Sequence, residues 1–356
     1  MNPRFDQLLQ QARARQAQRE ADAATLAEGL DLANRAWAMA GTPLEQKQAG
    51  LLQAHFHYRR GELLQLLNTG LVVLPLVAEH GPPEEHFDLL RIVVMAGCDT
   101  GAFDIALPLA HRAHRLALTQ LGSDRQGLGL NGIACCFERM GDPWRAEILM
   151  GQALQLVRTV DDPMPLFITL NNLLAVQLGI FHLLRDAVHE HEAREPLLRG
   201  RALAEEGQAL AARIGDPFLA VFAGGNAGEL LTHAGHHAEA RAVLERSLAL
   251  ARRLSARMQI WRIECTLGEL ALLEGQPQQA WELLRAVLQA SGGSDAPVTH
   301  LRLHYALWHT ARARRRPSEA LHHLEQYEKL SRQRSLRQLR AQSQLLVLRE
   351  DLQPRD

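Results

Sequence analysis

The chain has 356 residues, long for one compact core, which favours two domains or an elongated array. Its hydrophobic content of 47% argues against disorder, and abundant Leu and Ala beside 5% aromatics exclude a β-sandwich or a doubly wound sheet. Lys plus Arg (39) nearly cancels Asp plus Glu (40), so no global field draws the chain to nucleic acid or anionic lipid.

Residues 1–40 carry no apolar signal region and read as two polar amphipathic capping helices, with Leu26, Leu30 and Trp37 on their apolar sides. A repeat then runs over 41–330. Gly61-Glu62-Leu63 loosely, then Gly101-Ala102-Phe103-Asp104-Ile105-Ala106 and Gly141-Asp142-Pro143-Trp144-Arg145-Ala146, each read as the end of one helix and the start of the next. The pattern returns at Gly235-His236-His237-Ala238-Glu239-Ala240 and Gly275-Gln276-Pro277-Gln278-Gln279-Ala280. It recurs once more at Arg316-Pro317-Ser318-Glu319-Ala320, with Arg315 in the Gly position. Successive turns lie 40, 40, 94, 40 and 40 residues apart. The long interval holds one more unit, its turn expected near 181, and 14 extra residues assigned to about 183–197 around His189-Glu190-His191-Glu192-Ala193-Arg194-Glu195-Pro196. Asp162-Pro163, Asp216-Pro217 and Ala296-Pro297 start helices between units. The apolar run Leu71–Ala78 contains Pro75 and is far short of a membrane span. Residues 331–356 read as a capping or linker helix. The stripe Leu321, Leu324, Leu330, Leu336, Leu339 and Leu346 offers a dimerising coiled coil as the sharper alternative, although Ser331, Ser335 and Ser343 interrupt it.

Within each unit the residue types fit two crossing helices. Ala54, Ala134, Gly228 and Gly268, seven before the turn, are small enough for close approach. Ala106, Ala146, Ala240, Ala280 and Ala320 follow five after it, with Leu244, Leu284 and Leu324 four further along the same face. Each unit is therefore an αα-hairpin.

These positions resemble the tetratricopeptide signature, most specifically over 217–290, where Asn226-Ala227-Gly228-Glu229-Leu230 and Thr266-Leu267-Gly268-Glu269-Leu270 look like its first helix. The period of 40 rather than about 34 implies longer helices. Such extended repeats are similar to the sensory regions of bacterial signalling proteins, including those associated with diguanylate cyclases or peptide-responsive regulators. The resemblance implies an all-α, right-handed superhelix of about seven antiparallel hairpins. It further implies a non-catalytic cytoplasmic scaffold that holds a protein or peptide segment in its concave groove. The alternative is a small-ligand-sensing or dimerising module serving a separate output domain, such as a diguanylate cyclase or a transcription regulator.

In the resembled family the groove is lined from fixed positions before each turn. Those positions hold Arg91, Asn131, Asn226, Glu229, Arg262 and Arg302 here, with His55 and His309, and with Asn171 and Asn172 in the gapped unit. Asn is disfavoured inside helices, so its recurrence wants a reason. An amide can pair with both N–H and C=O of an extended peptide, and Arg can fork onto a carboxylate. Alternatively, the Asn side chains bond neighbouring helices. Both readings stay open for Asn131 and Asn171, and the second is preferred for Asn226.

No catalytic residue, metal site or cofactor is expected. Cys98, Cys135, Cys136 and Cys265 have no CxxC spacing. The histidine groups His300/His304, His233/His236/His237 and His189/His191 form no HExxH or finger pattern. Arg312-Ala313-Arg314-Arg315-Arg316 offers a contact for RNA or an acidic partner, but as a short basic run at a helix end it offsets the dipole, and that reading is preferred.

Overall fold

The computed structural model describes residues 3–187, 189–292 and 297–351. Among these the chain forms sixteen α-helices and no strand. They are α1 (Pro3–Gln16), α2 (Ala23–Met39), α3 (Pro43–Arg60), α4 (Leu63–His80), α5 (Pro83–Thr100), α6 (Phe103–Gln120), α7 (Ser123–Arg139), α8 (Pro143–Val157), α9 (Pro163–Asp186), α10 (Glu190–Ile214), α11 (Pro217–His233), α12 (His237–Arg253), α13 (Arg257–Leu273), α14 (Pro277–Ala290), α15 (Pro297–Ala313) and α16 (Pro317–Asp351). Each helix packs chiefly on its neighbours in sequence, and alternate helices from α1 to α15 also touch, so antiparallel hairpins stack into a right-handed superhelix.

The local chemistry explains the boundaries. Helices α8, α9 and α11 begin with an Asp whose carboxylate accepts a backbone N–H, followed by Pro at the first helical position. Thr42 and Glu45 form a reciprocal capping box at the start of α3. Gly61, Gly101, Gly141, Gly235 and Gly275 turn with φ between 65° and 87°, and Arg315 takes the same left-handed form at 57° despite its side chain. Ala296 lies outside the described residues.

The small residues lie where the hairpins cross. Ala54 and Ala134 are fully buried, and a Cβ on Gly228 or Gly268 would come within 2.5 Å of Leu244 or 2.6 Å of Leu284. Ala106, Ala146, Ala240 and Ala280 are likewise fully buried on the opposing helix. Helices α4 and α9 are long and apolar enough to cross a membrane by length and composition alone. Part of that apolar surface is spent on the solenoid, through Leu66, Val73 and Val77 of α4 and Leu170, Val176 and Ile180 of α9, while Leu64, Leu71 and Val72 of α4 stay exposed.

Two expected boundaries need correction. No turn occurs near 181: α9 continues to Asp186, and α10 begins at Glu190. The extra residues form additional turns on both helices of unit four, which run to 24 and 25 residues. Leu174, Leu178, Phe181, Ala193 and Leu197 share one apolar cluster, so the added turns are packed and the helical ladder has no reason to break. Pro196 falls within α10 rather than ending it. At the other end no boundary separates 330 from 331, because α16 runs unbroken for 35 residues.

The superhelix closes on itself. Arg59 near the end of α3 stacks on Phe218 at the start of α11, 4.8 Å from the ring centroid, and Tyr58 meets the same ring edge-on. Arg257 donates to the carbonyl of Gly61 at 3.2 Å, and Arg253 reaches Glu20 at 3.4 Å. On the inside α15 touches α5, so units two and seven meet across the axis.

Candidate functional site

The inner face is built from α5, α7, α9, α11, α13 and α15, the first helices of successive hairpins. Its centre is a charge cluster. Arg302 of α15 forks onto Glu269 of α13, donates from Nε to Oε1 at 2.9 Å, and bonds Thr266 at 3.0 Å. Its remaining nitrogen lies 2.9 Å from Glu229 of α11. Arg262 approaches the same Glu229 oxygen at 3.6 Å and donates to Asn226 Oδ1 at 2.9 Å. His182 of α9 donates from Nε2 to the other Glu229 oxygen at 2.9 Å, and His233 Nε2 sits 3.4 Å from Glu269.

Burial alone would raise both carboxyls, but Arg302, with His182 and Arg262 at Glu229 and His233 at Glu269, holds them well below the ordinary carboxylate range. Burial lowers Arg262 and opposes charge on Arg302, yet the two carboxylates drive Arg302 well above its usual value. Burial pushes His182 down to about 4 against the pull of Glu229, so it is a neutral imidazole at physiological pH.

The amides continue this cluster along the superhelix axis. Asn226 donates to Asn171 Oδ1 at 2.9 Å, and Asn172 donates to Asn131 Oδ1 at 2.9 Å. Asn131 Nδ2 reaches Thr169 at the long distance of 3.5 Å, and Cys135 lies 3.5 Å from Asn131 Oδ1. Asn171 and Asn172 are neighbours in sequence, so one faces α11 and the other α7. Both are half-buried, and among the described residues Asn171 Nδ2 and Asn172 Oδ1 have no hydrogen-bond partner.

Seven of the eight expected residues thus fall into two connected groups. Asn171, Asn226, Glu229, Arg262 and Arg302 make one, and Asn131 with Asn172 makes the other. Arg91 stands apart beside Asp88, with Nε buried and unpartnered. Sequence reasoning missed His182, His233 and Glu269 as members of the cluster. Glu269 was findable, since it stands six before its turn just as Glu229 does. His182 was not, because its unit's turn had been placed one residue before it.

The histidine pairs noted in the sequence separate. His300 bonds the Ser291 carbonyl at 3.0 Å, whereas His304 pairs with His323 at 2.9 Å. His182, Glu229 and His233 do bring donor atoms within 4.8 Å of one another, a metal-competent set by residue type. Arg302 and Arg262 already neutralise the carboxylates, so a divalent ion would add uncompensated charge to a buried site.

This architecture, stacked antiparallel hairpins with a polar inner face, defines a tetratricopeptide-like superhelical scaffold. A Rap protein complexed with competence and sporulation factor is similar, with a TM-score of 0.64 at 11% identity over 86% of this chain and 80% of that one. Aspartyl phosphate phosphatase F from Bacillus subtilis matches at a TM-score of 0.51 and 11% identity, over 85% of this chain and 75% of its own. A human IFIT1 dimer with m7Gppp-AAAA matches at 0.55 and 12%, over 88% and 69%. At these identities the likeness shows the fold alone. No described family and no curated protein matches the sequence.

Proposed function

We propose that the protein is a non-catalytic, cytoplasmic recognition scaffold that holds an extended peptide or protein segment against Asn131, Asn171, Asn172, Asn226, Glu229, Arg262 and Arg302 in a bacterial signalling pathway, with Arg91 at the groove's margin. One observation carries the reading. Asn171 and Asn172 keep a free donor and a free acceptor while their other atoms are locked by Asn226 and Asn131. Side chains anchored at one end and open at the other suit a peptide backbone, which offers a C=O and an N–H per residue. A rigid wall of this kind spares the ordering cost of binding. The Rap protein solved with competence and sporulation factor is a precedent in fold for a bound partner. Nucleic acid fits less well, because Arg139, Arg262 and Arg302 are engaged by Asp99, Glu138, Glu229 and Glu269 rather than free to track phosphates.

The test is selection of a displayed random heptapeptide library on the immobilised protein. Enriched sequences should lose about tenfold or more in affinity with Asn171→Ala and Asn172→Ala together, the scale of one or two lost hydrogen bonds. Retained affinity in a folded double variant would refute the site. A second reading, dimerisation through α16, is favoured by the exposure of Leu321, Leu336 and Leu339, all above 50%. A concentration series in light scattering separates the two.

A further inference from the structure

The last helix is twice as long as its hairpin partner, and one face of it between Tyr327 and Gln338 is packed against other units. Tyr327 stacks against Tyr305 of α15, with centroids 5.4 Å apart. Tyr305 in turn lies under the guanidinium of Arg185, 4.6 Å away, which also sits 5.5 Å from the ring of Phe181 and pairs with Asp186 at 2.8 Å. Arg185 and Phe181 belong to the added turns of α9, so the insertion forms a strut from unit four to unit seven. Further along α16, Gln338 accepts from Arg334 Nε at 3.0 Å and from the Gly141 N–H at 3.3 Å, once its amide is turned so that the oxygen faces both donors. Arg334 lies in the field of Glu138 and Asp186. A Cβ on Gly101 would fall 2.9 Å from Arg337, and one on Gly141 would fall 2.8 Å from Gln338. Helix α16 therefore rests directly on the turns of units two and three.

We propose that the segment Tyr327–Gln338 of α16 is a gate over the turn end of the inner face, and that it must swing away before a ligand enters from that end towards Asn131 and Asn172. Depth along α7 orders the parts. Gly141 lies under Gln338, Arg139 comes next, Cys135 is one turn deeper, and Asn131 is one turn deeper again. The contacts holding the gate are few and polar or aromatic, of the kind that open locally without global unfolding. Leu336 and Leu339 remain exposed on the far side, so the segment is held by one face only. The gate rests on the inner-face reading for its use, but its geometry and its test do not involve a ligand.

Cysteine chemistry reads the gate directly. Cys135 borders Asn131 and Asn172 on the inner face, whereas Cys98 and Cys136 are packed on each other at 3.4 Å between α5 and α7. Full-length protein carrying Tyr327→Ala, Arg334→Ala and Gln338→Ala is treated with N-ethylmaleimide and followed by mass spectrometry. Modification of Cys135 should accelerate about tenfold or more over the unsubstituted protein, while Cys98 and Cys136 keep their slow rates. An unchanged Cys135 rate overturns the gate. Parallel acceleration of all three cysteines also overturns it, by showing that α16 holds the whole fold together. Spin labels at Trp144→Cys and Leu339→Cys, both exposed positions, supply the second measurement. A single narrow distance in the closed protein should broaden and lengthen in the triple variant, and identical distributions would count against the proposal. Failure of the peptide selection leaves these outcomes untouched.

Discussion

At Arg302 one guanidinium serves two buried carboxylates, 5% and 8% exposed at their side chains. Arg302→Ala should lower stability by about 3–5 kcal/mol in urea denaturation, because it strands charge rather than merely deleting a contact. Adding Glu229→Gln and Glu269→Gln should recover part of that loss, since the stranded charges are gone. His182 gives the molecule an acid limit. Its folded pKa, about 4, lies below the unfolded value near 6.5, so the unfolded chain binds the extra proton first. The stability from neutral His182 is complete above pH 6.5 and falls by up to ~1.4 kcal/mol per pH unit as pH drops towards 4. Thermal melts across that window should show the decline, and His182→Gln, which never takes up a proton, should shrink it without abolishing it, because burial also holds His55, His304 and His323 down to about 4.

Glycine plays opposite roles within a hairpin. At the turns it supplies the left-handed backbone. At Gly228 and Gly268, inside α11 and α13, it supplies absence of a side chain, because Leu244 and Leu284 occupy the space. Gly→Ala inside a helix ordinarily favours the helix by roughly 1 kcal/mol. Here Gly268→Ala should instead destabilise by about 1–3 kcal/mol through overpacking, and Leu284→Ala on the same background should relieve the clash. A denaturation cycle over the four proteins measures the coupling, and additive effects would disprove the contact. The added turns of α9 act at the same scale, turning a change in repeat length into the internal strut that carries His182 and Arg185.

The closed ring changes what a solenoid can do. An open array transmits force only between neighbours, whereas here Phe218, Arg59 and Arg257 tie units five and six to unit one. Phe218→Ala should expand the radius of gyration in solution scattering while far-ultraviolet circular dichroism stays unchanged. An unaltered radius would mean that the seam is incidental to closure. The inner face is consequently a confined space, which is why its Asn and Arg side chains find one another across successive helices.

Helix, turn and hairpin were readable from residue order, because each depends on contacts a few positions apart. The left-handed turn glycines, the Asp-Pro starts, and the Ala and Leu of crossing faces all recur in phase with the step of 40. The same register brought out Asn131, Asn226, Glu229, Arg262 and Arg302. It fails where phase is lost, at unit four, so the junction between α9 and α10 and the roles of His182 and Arg185 are not legible there. Whether each polar side chain is engaged or free, which turns α16 covers, and the meeting of α3 with α11 depend on superhelical curvature. That curvature sums small rotations over many interfaces, and no local pattern of residues encodes such a sum.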